Sequence, residues 1–538
     1  MSPNIYSLFR AQTAKYRERP VFFTRDQDVW EQRSWTYFEE TVHDTACAFL
    51  AKGLTKGASV AILAGNIPEW SIIDIAVIAA GGVGVGIYPT SSPEQCEFII
   101  RHSDAQFVIV DTVVQLDKIR TFTFAKVKQI LCIEDGTFAR FLESGRSARG
   151  EYLPKVENIG FNSDVEDIAI IVYTSGTTGE PKGAMLSHRY VLNSVESLRR
   201  SVPIFDTDVA FSYLPGCHVA ERVSGIYNRL YNGTVAYFVD DLTRLYEYIL
   251  DVRPTVFASL PRFFEKIHAS IVAKHGSEKI DPQIVKDAFG GQIRLLTSGG
   301  APLPAEIAQF FADAGVPILQ AYGLTENICV AFNRADDFKF GTVGKPMPMC
   351  EVKIAHDGEI LVRSLMMFSG YYKEPAKTAE MFDDNGWLKT GDLGDMDEDG
   401  FLKITGRKKE IIVLSSGKNV APALIENIVK ESHLISHCFV FGDGHSYCVA
   451  LITLNQNEVA SNGDRGAEAG STQTREAIEK IVERSNERVS RSEQIKRFAI
   501  LDRDFSPQFD EITPTMKLKR DVVAKNFADT IEELYENK

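Results

Sequence analysis

Ile168-Ala169-Ile170-Ile171-Val172-Tyr173-Thr174-Ser175-Gly176-Thr177-Thr178-Gly179-Glu180-Pro181-Lys182-Gly183 begins as an unbroken apolar run and ends as a loop of glycines, hydroxyls and one lysine. The first five residues have the composition and length of a strand buried on both faces. In the loop, glycines let backbone N–H groups approach a polyanion, hydroxyls add donors, and Lys182 adds a mobile cation. Together they describe a phosphate cradle at the end of a core strand. The pattern is not Walker A, in which the lysine precedes Ser or Thr rather than glycine. An ordinary Gly/Ser/Thr surface turn is the plain alternative. Eleven specified residues directly after a buried strand weigh against it.

Outward from this loop, helical and strand patterns alternate, which points to α/β layering. Thr36-Tyr37-Phe38-Glu39 reads as a capping box opening a helix with Phe38, Val42, Ala46, Phe49 and Leu50 on its apolar face, ended by Gly53. Strands are expected at Val60–Ala64, Phe107–Val110, Ile130–Ile133, Thr255–Ala258, Ile293–Thr297 and Pro317–Gln320. Ile307, Phe310 and Phe311 form the apolar face of a helix between the last two. Ligand loops belong at the C-terminal ends of such strands. The polar stretch from Ser461 to Thr474 reads as an exposed loop.

At 538 residues the chain is longer than one hydrophobic core usually supports, so two or more domains are expected. A formal net charge of −14 argues against nucleic acid as a partner. The 8 cysteines form no Cys-x-x-Cys pair, which reads as reduced structural thiols in a cytoplasmic protein. The start of the chain lacks the apolar core of a signal peptide. Ser71 to Tyr88 is the most membrane-like stretch, but Asp74 and four glycines interrupt it. It reads as a buried helix running into a strand.

Further motifs follow in order: Gln320-Ala321-Tyr322-Gly323-Leu324-Thr325-Glu326, Gly386-Trp387-Leu388-Lys389-Thr390-Gly391-Asp392, Gly406-Arg407-Lys408-Lys409-Glu410, Gly417-Lys418-Asn419-Val420 and Thr513-Pro514-Thr515-Met516-Lys517-Leu518-Lys519-Arg520. With the cradle, this ordered set resembles the adenylate-forming superfamily of acyl- and aryl-CoA synthetases, nonribosomal-peptide adenylation domains and beetle luciferases. The resemblance covers essentially the whole chain. It implies an α/β protein with a large, multi-subdomain N-terminal adenylate-forming domain over residues 1–408. A smaller mobile α+β domain over 409–538 would turn about a hinge at Lys409.

The chemistry implied begins with a carboxylate, a poor electrophile because its leaving group would be an oxide. Attack on the α-phosphate of ATP replaces that oxide with AMP, provided the triphosphate is held, its charge neutralised and the carboxylate aligned. By the resemblance, Thr174, Ser175, Gly176, Thr177, Thr178, Gly179 and Lys182 cradle the phosphates. Glu326 ligates Mg²⁺, a hard cation that prefers oxygen, and Thr325 donates to the α-phosphate. Asp392 takes the ribose hydroxyls, with Arg407 as the cation beside ribose and phosphate. Tyr322 and Gly323 line the adenine, Tyr322 by stacking, with a core aromatic as the alternative for that ring. Gly299, Gly300 and Ala301 border adenine and acyl pocket.

Lys517 is the candidate catalytic lysine, a long cation able to bridge carboxylate and phosphate. Lys519 is taken as a solvated surface residue. His218, in Leu214-Pro215-Gly216-Cys217-His218, is given a gating role at the acyl carboxylate rather than acid–base work. By the same resemblance, Gly417 and Lys418 would lie by the pantetheine tunnel. Thr515-Met516 and Gly406 depart from the superfamily's common Ser-Gly and Asp. Both departures, with Arg253-Pro254-Thr255-Val256-Phe257, resemble the long-chain acyl-CoA synthetases. The expected substrates are therefore a fatty acid, ATP and CoA, and a lipid substrate would favour peripheral membrane contact. The alternatives are an acyl-AMP ligase that loads an acyl carrier protein, or a nucleotide-binding scaffold without turnover. Intact Lys517, Glu326 and Asp392 speak against the scaffold.

Overall fold

In the computed structural model, the described residues are 3–174, 181–276, 280–432, 434–455, 472–513 and 518–536. The helix Ile5–Tyr16 leads into a hairpin of β1 (Pro20–Asp26) and β2 (Val29–Ser34), then the helix Trp35–Ala51. Ser34, not Thr36, caps that helix: its hydroxyl accepts from Tyr37 N at 3.2 Å. The expected capping box fails because Thr36 donates to Glu18 while Glu39 is drawn to Thr13 and Arg10. Phe38, Val42, Ala46 and Phe49 are buried as the helical period requires.

The central sheet contains β3 (Ser59–Leu63), β4 (Val83–Ile87), β5 (Phe107–Val110), β6 (Gln129–Cys132), β7 (Ile168–Thr174) and β8 (Lys182–Ser187). Its order is β6-β5-β3-β4-β7-β8, parallel except for β8. Helices cover such parallel strands, so they read as continuous apolar runs. The stretch from Ser71 resolves into the helix Pro68–Ala79 followed by β4. Asp74, the charge that interrupts it, is buried and accepts from Arg222 Nε at 3.1 Å and from the Tyr227 hydroxyl at 2.6 Å. Gly84 on β4 lies against this group, where a Cβ would collide with both Arg222 and Asp74. No helix among the described residues is long and apolar enough to cross a membrane.

β9 (Val209–Ser212) and β10 (Val235–Phe238) extend the first hairpin in the order β2-β1-β10-β9. A further sheet holds β11 (Val256–Ser259), β12 (Leu295–Ser298) and β13 (Ile318–Leu324) in parallel, with β14 (Asn327–Phe332) and β15 (Lys345–Pro346) antiparallel. An antiparallel sheet follows from β16 (Cys350–Ile354), β17 (Glu359–Ser364), β18 (Leu388–Met396) and β19 (Leu402–Arg407).

A 3-10 turn, Lys408–Glu410, then leads to β20 (Ile412–Val413), β21 (Asn419–Val420), β22 (Ile435–Phe441), β23 (Cys448–Leu454) and β24 (Ile495–Ile500). The apolar clusters divide at this turn. Those built from residues up to Ile404 contain nothing beyond it, and those from Ile412 onward contain nothing before it. Of the expected polar loop from Ser461, residues 461–471 lie outside the described set, whereas Thr472–Thr474 already belong to the helix Thr472–Asn486.

Candidate active site

The cradle strand runs two residues past the expected end at Val172: Thr174 closes β7 and pairs across the hairpin with Lys182, which starts β8 rather than lying in the loop. Ser175, Gly176, Thr177, Thr178 and Gly179 lie outside the described residues. The Lys182 ammonium stands 5.2 Å from the ring centroid of Tyr371, on its face, an arrangement in which the ring quadrupole attracts the cation.

Thr325 and Glu326 form the turn between β13 and β14. Gly323 is required there, because a Cβ would run into the Ile328 carbonyl. The buried Tyr190 hydroxyl fixes the turn, donating to Thr325 O at 3.0 Å and accepting from Ile328 N at 3.0 Å. Glu326 is buried, and its Oε1 accepts from the Tyr371 hydroxyl. Burial and the adjacent Glu326 push the Tyr371 phenol well above its ordinary value, so the proton stays on the phenol.

Tyr371 arrives on a segment that links the two halves of this site. Phe368 N donates to Glu326 O at 2.9 Å. Ser369 N donates to Met185 O at 2.8 Å, Met185 N to Gly370 O at 2.9 Å, and Tyr372 N to Gly183 O at 2.8 Å. The segment is in effect laid along β8. Gly370 makes this bend possible with φ of +111°, a conformation that glycine tolerates.

A second cluster forms around Asp392. Its Oδ2 accepts from the Tyr322 hydroxyl at 2.5 Å and its Oδ1 from Arg407 Nε at 2.6 Å. A carboxylate offers about four lone-pair sites, so acceptor capacity remains for a ligand. Thr390 supports Asp392 from below, accepting from Asp392 N at 3.1 Å and donating to Ile360 O at 2.7 Å. The Tyr322 ring sits in the main apolar cluster; burial and Asp392 raise its phenol well above the usual range. Glu359 accepts from Gly391 N at 3.0 Å and from Lys408 Nζ at 2.7 Å, tying the Asp392 loop to the residue before Lys409.

Gly299, Gly300 and Ala301 form the turn after β12, with Gly300 at φ +79°. Half-buried His218 precedes a π-helix, Ala220–Tyr227, and its Nδ1 accepts from Ala220 N at 3.2 Å. That rare helix is pinned by consecutive charges. Glu221 meets Ser212 and Arg229, both at 2.7 Å, and Arg222 meets Asp74.

Lys409 is exposed in its 3-10 turn. Gly417, at φ +77°, and Lys418 occupy the tight turn between β20 and β21, closed by Gly417 N to Leu414 O at 2.8 Å. Lys517 lies outside the described residues. Lys519 is not the solvated cation expected, because it is paired with Asp510. Arg520, next in sequence, meets Glu426 at 2.7 Å.

The sequence reading missed Tyr190, Tyr371 and Glu359. Only Tyr371 carried a signal, a glycine followed by paired tyrosines. For Mg²⁺, the described residues contain no cluster of three or more His, Cys, Asp or Glu. A lone buried Glu326 fits a cation that takes its remaining oxygens from phosphate and water.

The model for the AMP-binding enzyme family matches residues 9–372, and that for the AMP-binding enzyme C-terminal domain matches 409–538. A long-chain-fatty-acid–CoA ligase of Mycobacterium tuberculosis is 34% identical, over 94% of this chain and 93% of its own. The peroxisomal long chain acyl-CoA synthetase 6 of Arabidopsis thaliana is 30% identical, over 99% and 87%. Among solved structures, ATP-bound MatB of Rhodopseudomonas palustris shares the fold at a TM-score of 0.79 and 22% identity, covering 98% of this chain and 99% of that one.

Proposed function

The chain belongs to the AMP-binding enzyme family, and from that membership we propose that it activates a long-chain fatty acid with ATP and passes the acyl group to CoA. The observation that carries this reading is the meeting of Lys182 and Glu326 on one tyrosine, Tyr371. A cation for phosphates and a carboxylate for a divalent ion thereby share one small volume. Near full-length similarity to long-chain ligases supports the acyl class and the acceptor.

In the first half-reaction Thr174, Lys182 and the loop between them hold the triphosphate, while Asp392 and Arg407 hold the ribose. Glu326 would hold Mg²⁺, which when bound would supply charge neutralisation at the phosphates. Thr325 donates to the α-phosphate, and Lys517 brings the fatty-acid carboxylate against it. The carboxylate oxygen forms a bond to the α-phosphorus, the bond to the bridging oxygen breaks, and pyrophosphate leaves. The CoA thiolate then attacks the acyl carbon and AMP departs, with His218 gating the acyl carboxylate and the Gly417–Lys418 turn beside the pantetheine arm.

We assign residues 1–408 to nucleotide and acyl binding and 409–538 to a lid that carries Lys517 and turns about Lys409. The separation of apolar clusters on either side of Lys408–Glu410 supports that division. We place the protein in the cytoplasm, with peripheral membrane contact while it collects its lipid substrate.

The test supplies palmitate, ATP, Mg²⁺ and either CoA or an acyl carrier protein, then identifies nucleotides and acyl product by mass. AMP, pyrophosphate and palmitoyl-CoA are expected. ADP with phosphate would overturn the activation step, and good turnover of short acids alone would overturn the chain-length assignment.

A further inference from the structure

Lys182 and Glu326 come from different sheets, and no ion pair between them is present among the described residues. What joins them is one side chain. Tyr371 is 5% exposed, presents its ring face to the Lys182 ammonium, and spends its hydroxyl on Glu326 Oε1. Its own place is over-determined. Tyr371 N donates to Thr378 Oγ1 at 2.8 Å, and the Phe368 ring packs edge-on at 5.1 Å. Backbone bonds before and after Tyr371 hold the segment to Glu326 O and to β8. A phenol so fixed can orient a carboxylate, whereas a surface tyrosine cannot.

We propose that Tyr371 is a positioning residue that orients the Glu326 carboxylate for the divalent cation and holds Lys182 beside it before nucleotide binds. The inference rests on the nucleotide reading above. A hydrogen bond on one carboxylate oxygen fixes the rotation of the group, and leaves the other oxygen without a hydrogen bond from any other described residue. Outer partners of this kind set ligand orientation, and their loss typically weakens metal affinity about 10–100-fold. The same ring gives Lys182 a resting place close to the site of phosphate charge, so the ammonium need not be recruited from solvent. The two effects separate by substitution, since the hydroxyl serves Glu326 and the ring serves Lys182.

The experiment measures Mn²⁺ binding by electron paramagnetic resonance in the presence of α,β-methylene-ATP, without fatty acid or CoA. Analogue binding is measured separately in EDTA. Tyr371→Phe is expected to weaken Mn²⁺ about 10–100-fold while leaving metal-free analogue affinity within about threefold. Tyr371→Leu, which also removes the ring, is expected to lower both. In a Glu326→Gln background, Tyr371→Phe should cost nothing further. This cycle remains readable if the variants share a loss of stability, because only the coupling is scored.

Mn²⁺ affinity within twofold of the parent in Tyr371→Phe would overturn the proposal, as would an undiminished effect in the Glu326→Gln background. A Tyr371→Leu variant with metal-free affinity equal to that of Tyr371→Phe would overturn the Lys182 half. These outcomes concern binding, so they are distinct from failure of the acyl-CoA reading, which would show as ADP or a wrong acyl product in the parent.

Discussion

Asp392 and Arg407 face each other across β18 and β19, and the strand register brings the guanidinium to 2.6 Å from the carboxylate. With Tyr322 on the second oxygen, the aspartate is aimed by two donors before any ligand arrives. Asp392→Asn keeps the shape, removes the charge facing Arg407 and turns one of the two accepting oxygens into a donor. Loss of a charged hydrogen-bonding group at a site of this kind should lower kcat/KM for ATP by about 10–100-fold, chiefly through KM. Steady-state kinetics with circular dichroism check this; a change under threefold in a folded variant would remove Asp392 from the nucleotide site.

Lys519 is anchored on Asp510, two residues beyond Lys517. Lys519→Ala should therefore leave acid-dependent pyrophosphate exchange within a few-fold of the parent. Lys517→Ala should abolish that exchange, yet still turn supplied acyl-adenylate and CoA into thioester. Reversal of the two results would move the catalytic role to Lys519.

Lys408 is held by Asp357 at 2.6 Å and Glu359 at 2.7 Å, whereas Lys409 beside it is exposed. The hinge proposed at Lys409 would turn on a fixed base. Proline at 409 fixes φ near −65° and removes a donor, so one orientation of the lid should survive. Lys409→Pro is expected to retain adenylate formation and lose most thioester formation. The readout is the ratio of the two half-reaction rates, and an unchanged ratio would place the hinge elsewhere.

Two buried histidines contribute to the acid limit of stability. His188 Nδ1 accepts from Ile5 N at 3.2 Å, and burial lowers its pKa from 6.5 to about 4. His43 lies 3.1 Å from the Tyr6 hydroxyl, and burial, with Arg10, lowers it from 6.5 to about 3. As pH falls below 6.5 the unfolded chain takes up protons that the folded chain refuses. The stability from the neutral rings is thus fully present above 6.5 and lost as pH falls toward 4, by about 1.4 kcal/mol per pH unit for each histidine. Urea midpoints at pH 7, 6 and 5 measure this. His188→Asn, which retains an acceptor for Ile5 N, should show a shallower fall; an identical slope would clear His188 of any part.

Fully buried strands were legible because their residues leave no other reading. Phe107–Val110 was placed to the residue, and Thr174, Gly299 and Glu326 lie at or just past the C-terminal ends of β7, β12 and β13. Caps were less legible. Ser34 and Thr36 both offer a hydroxyl, and the choice was made by Glu18, Thr13 and Arg10, which the local pattern does not include. Tyr371 was missed for a similar reason. Its bond to Glu326 spans 45 residues, and its contact with Lys182 depends on a segment laid along β8 that has no sequence periodicity. Lys519 looked solvated because its partner precedes it by nine residues, a spacing that no local helix or strand period links.

The packing of Gly84 against Asp74 and Arg222 has an evolutionary corollary. Loss of either charge alone strands the other in the core, at about 3–5 kcal/mol, and any side chain at position 84 displaces both. Drift at these three positions must then proceed by joint replacement. A relative that has exchanged Arg222 for an uncharged residue should have exchanged Asp74 as well, and only such a lineage is free to place alanine or serine where this chain keeps Gly84.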